Sequence, residues 1–181
     1  MKKLLILILI FTGAAAQGAR PAYRLTSPDG RLTTTVALGD ALTYDIEYDG
    51  QTLMQPSAIG LKLSDGRVWG SSARIAKAVR TSSDAVLSSP FYRSSTVRDH
   101  YNGLTLKMRD NWSVEFRVYD DGVAYRFATT AKDPFEIASE QADYRFPTDC
   151  AVTVPYVRDN AGSIDAQWHN SFENVYTETT L

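Results

Sequence analysis

The sequence predicts an all-β fold, an antiparallel β-sandwich, on three observations. Apolar and polar residues alternate with period two over several short stretches. Turn-forming residues recur about every 8–12 positions, the spacing of antiparallel strands stacked in two layers. Outside the first residues no stretch keeps the helical period of about 3.6. A parallel α/β sheet would need helical crossovers of about a dozen or more residues, and none is present.

The elements follow in order. Lys2 and Lys3 precede the apolar run 4–11, and Thr12-Gly13-Ala14-Ala15-Ala16 closes it with small residues. This is the pattern of a secretory signal cleaved after Ala16, and the run falls short of the ~20 apolar residues of a membrane span. One domain, 17–181, is expected to follow. Leu32, Thr34, Val36 and Leu38 share one face of a first strand, and Gly39-Asp40 breaks it. Leu42, Tyr44, Ile46 and Tyr48 form a second, ending at Asp49-Gly50, where a glycine tolerates the positive φ of a hairpin turn. Leu104 and Leu106 lead to a turn at Asp110-Asn111. Trp112, Val114, Phe116 and Val118 then face one way, while Ser113, Glu115 and Arg117 face the other. Asp120-Asp121-Gly122 reverses the chain into Val123, Tyr125 and Phe127. Short strands are expected at 59–63, 74–79, 144–146 and 151–155, with Ser71-Ser72, Ser82-Ser83 and Ser94-Ser95 in loops or at edges.

Composition excludes several classes of function. The 181 residues carry 19 Lys and Arg against 21 Asp and Glu, a net charge of −2, and without Lys2 and Lys3 it becomes −4. No basic excess is available to neutralise nucleic-acid phosphates. One cysteine, Cys150, and two histidines, His100 and His169, leave no internal disulfide and no Cys-rich or multi-His metal site. Cys150 is expected as a small buried apolar group. No phosphate loop, nucleophile elbow or paired-cysteine pattern occurs.

Several segments together resemble the N-terminal domain of glycoside hydrolase family 97. They are Ser27-Pro28-Asp29-Gly30-Arg31-Leu32 with Tyr48-Asp49-Gly50, Gly60-Leu61-Lys62-Leu63, Val97-Arg98-Asp99-His100-Tyr101-Asn102, Val114 to Phe127, and Ser171-Phe172-Glu173-Asn174-Val175-Tyr176. The resemblance implies a galactose-mutarotase-like super-sandwich, incomplete over this length. It also implies a catalytic (β/α)8 barrel beyond Leu181, which carries the acid and the base or nucleophile for hydrolysis of α-linked oligosaccharides. It further implies a calcium ion held mostly by barrel glutamates, with one carboxylate from the N-terminal domain at the position matched by Glu173. A calcium ion accepts about 6–8 oxygen ligands in flexible geometry, so two domains can share it. The expected location is the periplasm or the exterior of a bacterium.

Other candidates have their own chemistry. Trp168 and Asn170, beside Gln167 and His169, suit a sugar: a ring stacks on its apolar face and an amide binds its hydroxyls. Asp99 and His100 are expected to brace a loop, and Asp120 and Asp121 to shape a turn before Gly122. Tyr44, Tyr48, Tyr119 and Tyr125 follow strand alternation and are expected in sheet packing. A stand-alone secreted carbohydrate-binding sandwich is the alternative to the enzyme-domain reading.

Overall fold

A computed structural model of the chain describes residues 21–91, 93–156 and 173–181. Every regular element among them is a strand. In order these are β1 (Ala22–Thr26), β2 (Leu32–Leu38), β3 (Leu42–Tyr48), β4 (Gln51–Leu63), β5 (Val68–Trp69), β6 (Ile75–Ser88), β7 (Thr96–Met108), β8 (Trp112–Val118), β9 (Val123–Thr129), β10 (Ile137–Ala142), β11 (Ala151–Val154) and β12 (Thr177–Thr180). The expected signal segment, 1–16, lies outside the described residues.

Two antiparallel sheets carry the core. The first runs β1-β2-β3-β4-β10, with β5 on β4, and the second runs β6-β7-β8-β9. β11 and β12 pair as a separate ribbon in which no residue is buried. Between the layers β1 lies against β7 and β2 against β8, and Tyr44 of β3 meets Tyr125 of β9 with ring centroids 5.5 Å apart.

The alternation seen in sequence becomes the core. Leu32, Thr34, Val36 and Leu38 of β2 are buried, as are Trp112, Val114, Phe116 and Val118 of β8. Burying each large apolar side chain stabilises the fold by about 1.5–3 kcal/mol relative to leaving it in water. Thr34 is buried because its hydroxyl donates to the Asp45 carbonyl at 2.6 Å. Ser57 is buried because its hydroxyl donates to the Gln55 carbonyl at 2.8 Å and accepts the Arg145 amide at 2.9 Å. Both groups thus avoid the penalty of an unpaired buried hydroxyl.

The hairpin turns follow the residues that permit them. Asp49 and Gly50 have φ of +48° and +78°, the two left-handed positions of a tight β-hairpin turn. Asn111 takes φ +60°, and the Tyr119 amide donates to the Gly122 carbonyl at 2.8 Å to close the β8–β9 connection.

Four expectations change. The strand expected at 74–79 is the start of β6, which pairs with β7 from Ile75↔Met108 to Ser88↔Thr96. Ser82 and Ser83 lie within β6, which is the outermost strand of its sheet, so they sit at an edge as expected. The strand expected at 59–63 extends back to Gln51. At 144–146 there is one bridge, Gln55↔Arg145, and β10 forms instead from the polar run Ile137–Ala142, paired to β4. Cys150 is half-buried, at the start of a ribbon too narrow to cover it.

Candidate functional site

Glu173, the residue matched to a calcium ligand, is exposed in the irregular segment leading to β12. Beside it the Asn174 side-chain nitrogen is buried with no hydrogen-bond partner among the described residues. Such atoms are rare in folded proteins, because each forfeits its hydration. Among the described residues, no three His, Cys, Asp or Glu side chains gather into a metal cluster. Glu173 can thus supply one oxygen-bearing group, and the rest of a calcium shell would come from outside this group of residues. Trp168 and Asn170, with Gln167 and His169, lie outside the described residues.

Asp99 and His100 sit in β7 and do brace the structure. The Tyr119 hydroxyl donates to Asp99 at 3.0 Å, with the Arg117 guanidinium 3.7 Å from the same carboxylate. Arg117 also lies over the Tyr101 ring, 4.2 Å from its centroid, a contact favoured by the ring's negative face. Tyr119 therefore acts as a hydrogen-bonding post at the end of β8 as well as an aromatic contact. His100 Nδ1 stands 3.7 Å from Asp120.

Asp120 does more than shape its turn. Its other carboxylate oxygen accepts the Asp29 backbone amide at 2.9 Å, joining the β8–β9 turn to the β1–β2 turn across the layers. Asp29 in turn accepts from the Ser27 hydroxyl at 2.5 Å and the Arg31 amide at 3.0 Å, which hold its carboxyl below the ordinary range. The cue was the pair of acidic turns, Ser-Pro-Asp-Gly and Asp-Asp-Gly, but their contact spans 91 positions and only the layering brings it about.

A cleft of about 590 Å³ lies between β3–β4 and β9. Tyr44, Met54, Tyr125 and Phe127 form its floor, and Leu53, Glu140, Tyr144 and Phe146 its open side. Burial, with the Glu140 charge second, pushes the Tyr125 hydroxyl up to about 12. Burial also raises Tyr44. Both phenols are therefore neutral hydrogen-bond donors at any physiological pH. Three exposed carboxylates are clamped by arginines, Asp49 by Arg31, Asp65 by Arg67 and Asp84 by Arg98, each held below its ordinary range. Glu115 is bridged by Arg126 at 2.7 Å.

Comparison with known proteins gives concordant results. Residues 25–181 match the family model described as glycosyl-hydrolase 97 N-terminal. The chain is 46% identical, over 182 aligned positions, to a retaining alpha-galactosidase from Bacteroides thetaiotaomicron, covering all of this chain and 28% of that protein. A family 97 glycoside hydrolase from Pseudoalteromonas sp. strain K8, solved in complex with acarbose, superposes with a TM-score of 0.64 at 22% identity, over 74% of this chain and 22% of its own. A beta-arabinopyranosidase superposes with a TM-score of 0.71, also at 22% identity, over 86% of this chain and 26% of its own. These two likenesses establish the shared fold. The chain spans about a quarter of the length of each of these relatives.

Proposed function

This chain belongs to the glycosyl-hydrolase 97 N-terminal family, and from that premise we propose that it is the non-catalytic N-terminal part of an exported hydrolase of α-linked sugars, lending the catalytic cleft a wall and a calcium ligand, Glu173. The observation that carries the reading is the pairing of 46% identity along the whole chain with coverage of only 28% of a retaining alpha-galactosidase.

The carboxylates support this division of labour. A retaining glycosidase needs two carboxyls about 5–5.5 Å apart, one with a raised pKa to act as acid. Among the described residues, every Asp whose pKa departs from its ordinary value moves down, toward a charged group that cannot donate a proton. These are structural carboxylates, and the acid and the nucleophile belong to the rest of the longer protein.

Glu173 suits a shared ion because it is exposed on an irregular segment and can reach toward a neighbouring domain. The unpartnered Asn174 nitrogen beside it fits a segment whose surroundings are completed by further structure. When bound, calcium would supply a fixed positive charge near the scissile bond. Trp168 and Asn170 are proposed to contact the sugar, and the Lys2-Lys3 leader to direct export to the periplasm or beyond.

The test uses the chain alone with chromogenic α-galactoside and α-glucoside. The expected result is hydrolysis indistinguishable from buffer, with or without calcium. Turnover above background would place chemistry in this domain and overturn the reading.

A further inference from the structure

β6 is the outermost strand of its sheet, and β1, at the matching end of the other layer, lies over β7. The second sheet thus projects one strand beyond the first at this end. Among the described residues Ile75–Ser88 has a strand on one side only, and all of it is exposed except the half-buried Ile75, Val79 and Ser83. Edge strands are commonly blunted by proline, by bulges or by charge of one sign. β6 has no proline, and its register shift lies at its start, between Ile75 and Lys77. From Ala78 to Val86 its charged residues are Arg80 and Asp84, of opposite sign and four positions apart.

That order is complementary to itself. When two copies pair antiparallel about a two-fold axis at Ser82, Arg80 of each stands directly opposite Asp84 of the other. Val79 meets Ala85, and Ala78 meets Val86, which is 71% accessible in the single chain. Opposite charges and apolar residues facing across neighbouring strands are the pairs that stabilise a sheet. From this we infer that β6 is a homodimer edge, which joins the four-stranded sheets of two copies into one, with Ser82 at the axis.

Geometry admits a second copy here. The axis is perpendicular to the sheet, so both first sheets stand on the same side. With β1 over β7, the two β1 strands are three strand spacings apart, about 14 Å, which leaves room for the inward side chains of β6. Arg80 is already posted at this gap, its guanidinium donating to the Arg24 carbonyl at 2.8 Å. That bond uses one of its five N–H donors. Asp84 accepts from Arg98 at 2.7 and 2.9 Å, and a carboxylate has lone pairs for a further donor. Both charges are therefore held in place before a partner arrives, which lowers the ordering cost of association. The inference is independent of Glu173 and of any sugar.

The experiment measures self-association of the whole chain by analytical ultracentrifugation, with amide hydrogen exchange to locate the contact. The expected result is a dimer in which exchange across Ile75–Ser88 slows as concentration rises. Arg80→Glu and Asp84→Lys each turn two attractive pairs into repulsive ones, and each should raise the dissociation constant about tenfold with unchanged circular dichroism. An equimolar mixture of the two variants should restore the dimer, because opposite charges then face each other at both places. Ser82→Cys, in a Cys150→Ser background, should give a disulfide-linked dimer, since directly opposed residues in paired strands lie within disulfide reach. A chain that stays monomeric, association that neither variant weakens or that the mixture does not restore, or concentration-dependent protection of Val123–Thr129 in place of β6 would overturn the proposal. So would slow exchange across β6 in the monomeric longer protein, which would assign the edge to another strand of the same polypeptide.

Discussion

Trp69 and Trp112 stack across the two sheets, their ring centroids 5.6 Å apart and their planes within 5° of parallel. Trp69 belongs to the two-residue β5, which hangs on β4, whereas Trp112 opens β8 in the other layer. Phe127 and Phe135 close around Trp69 at 6.5 and 5.3 Å. Trp112→Ala would remove this bolt and leave a void that the sheets cannot close. The expected loss is about 3–5 kcal/mol in urea unfolding, with collapse of the near-ultraviolet tryptophan signal.

Gly60 protects the same contact from the other side. A Cβ at this position would lie 2.7 Å from the Trp69 carbonyl oxygen, a backbone atom that can move only by displacing β5. Gly60→Ala should therefore destabilise the chain by about 1–3 kcal/mol and perturb tryptophan fluorescence. Gly122→Ala, with open space around its Cβ position, should change neither.

Asp120 offers a test of the bond between the turns. Asp120→Ala leaves the Asp29 amide without its acceptor at the junction of the β1–β2 and β8–β9 turns. Because the pair is exposed, water replaces much of what is lost, and the expected cost is about 1 kcal/mol or less. Faster amide exchange at Asp29 should be the clearer readout. An unchanged rate there would show that the bond contributes nothing in solution.

Tyr125 gives the pH dependence its sign. Its pKa in the fold is about 12, against 10 for a free tyrosine, so the unfolded chain loses this proton first as pH rises. Stability from this group is fully present below pH 10 and declines as pH climbs through about 12. Urea midpoints at pH 9 and pH 11.5 should show the fall, and Tyr125→Phe should reduce it. An identical fall in the variant would assign the effect to other groups.

On the proposed role of Glu173 as a calcium ligand, Glu173→Gln in the longer protein should raise the calcium dissociation constant at least tenfold and lower hydrolysis in parallel, with secondary structure intact. Calcium binding measured by calorimetry separates this from a folding defect. Unchanged affinity would remove Glu173 from the metal shell.

Much of this domain was decided by local sequence. Alternation along 32–38 and 112–118 needs no partner to be read, since period two sets which side chains share a face whatever strand lies alongside. Asp49-Gly50 and Asp120-Asp121-Gly122 likewise reverse the chain for reasons contained in their own backbones. The ordered motifs, spread from Ser27 to Tyr176, were enough to place the family. Tertiary structure alone decided the pairing of β6 with β7 across their full length, the recruitment of the polar β10 to β4, and the meeting of Asp29 with Asp120. Each of these depends on backbone bonds or on contacts between distant segments, and side-chain character along one stretch of chain carries no record of what another stretch will bring to it.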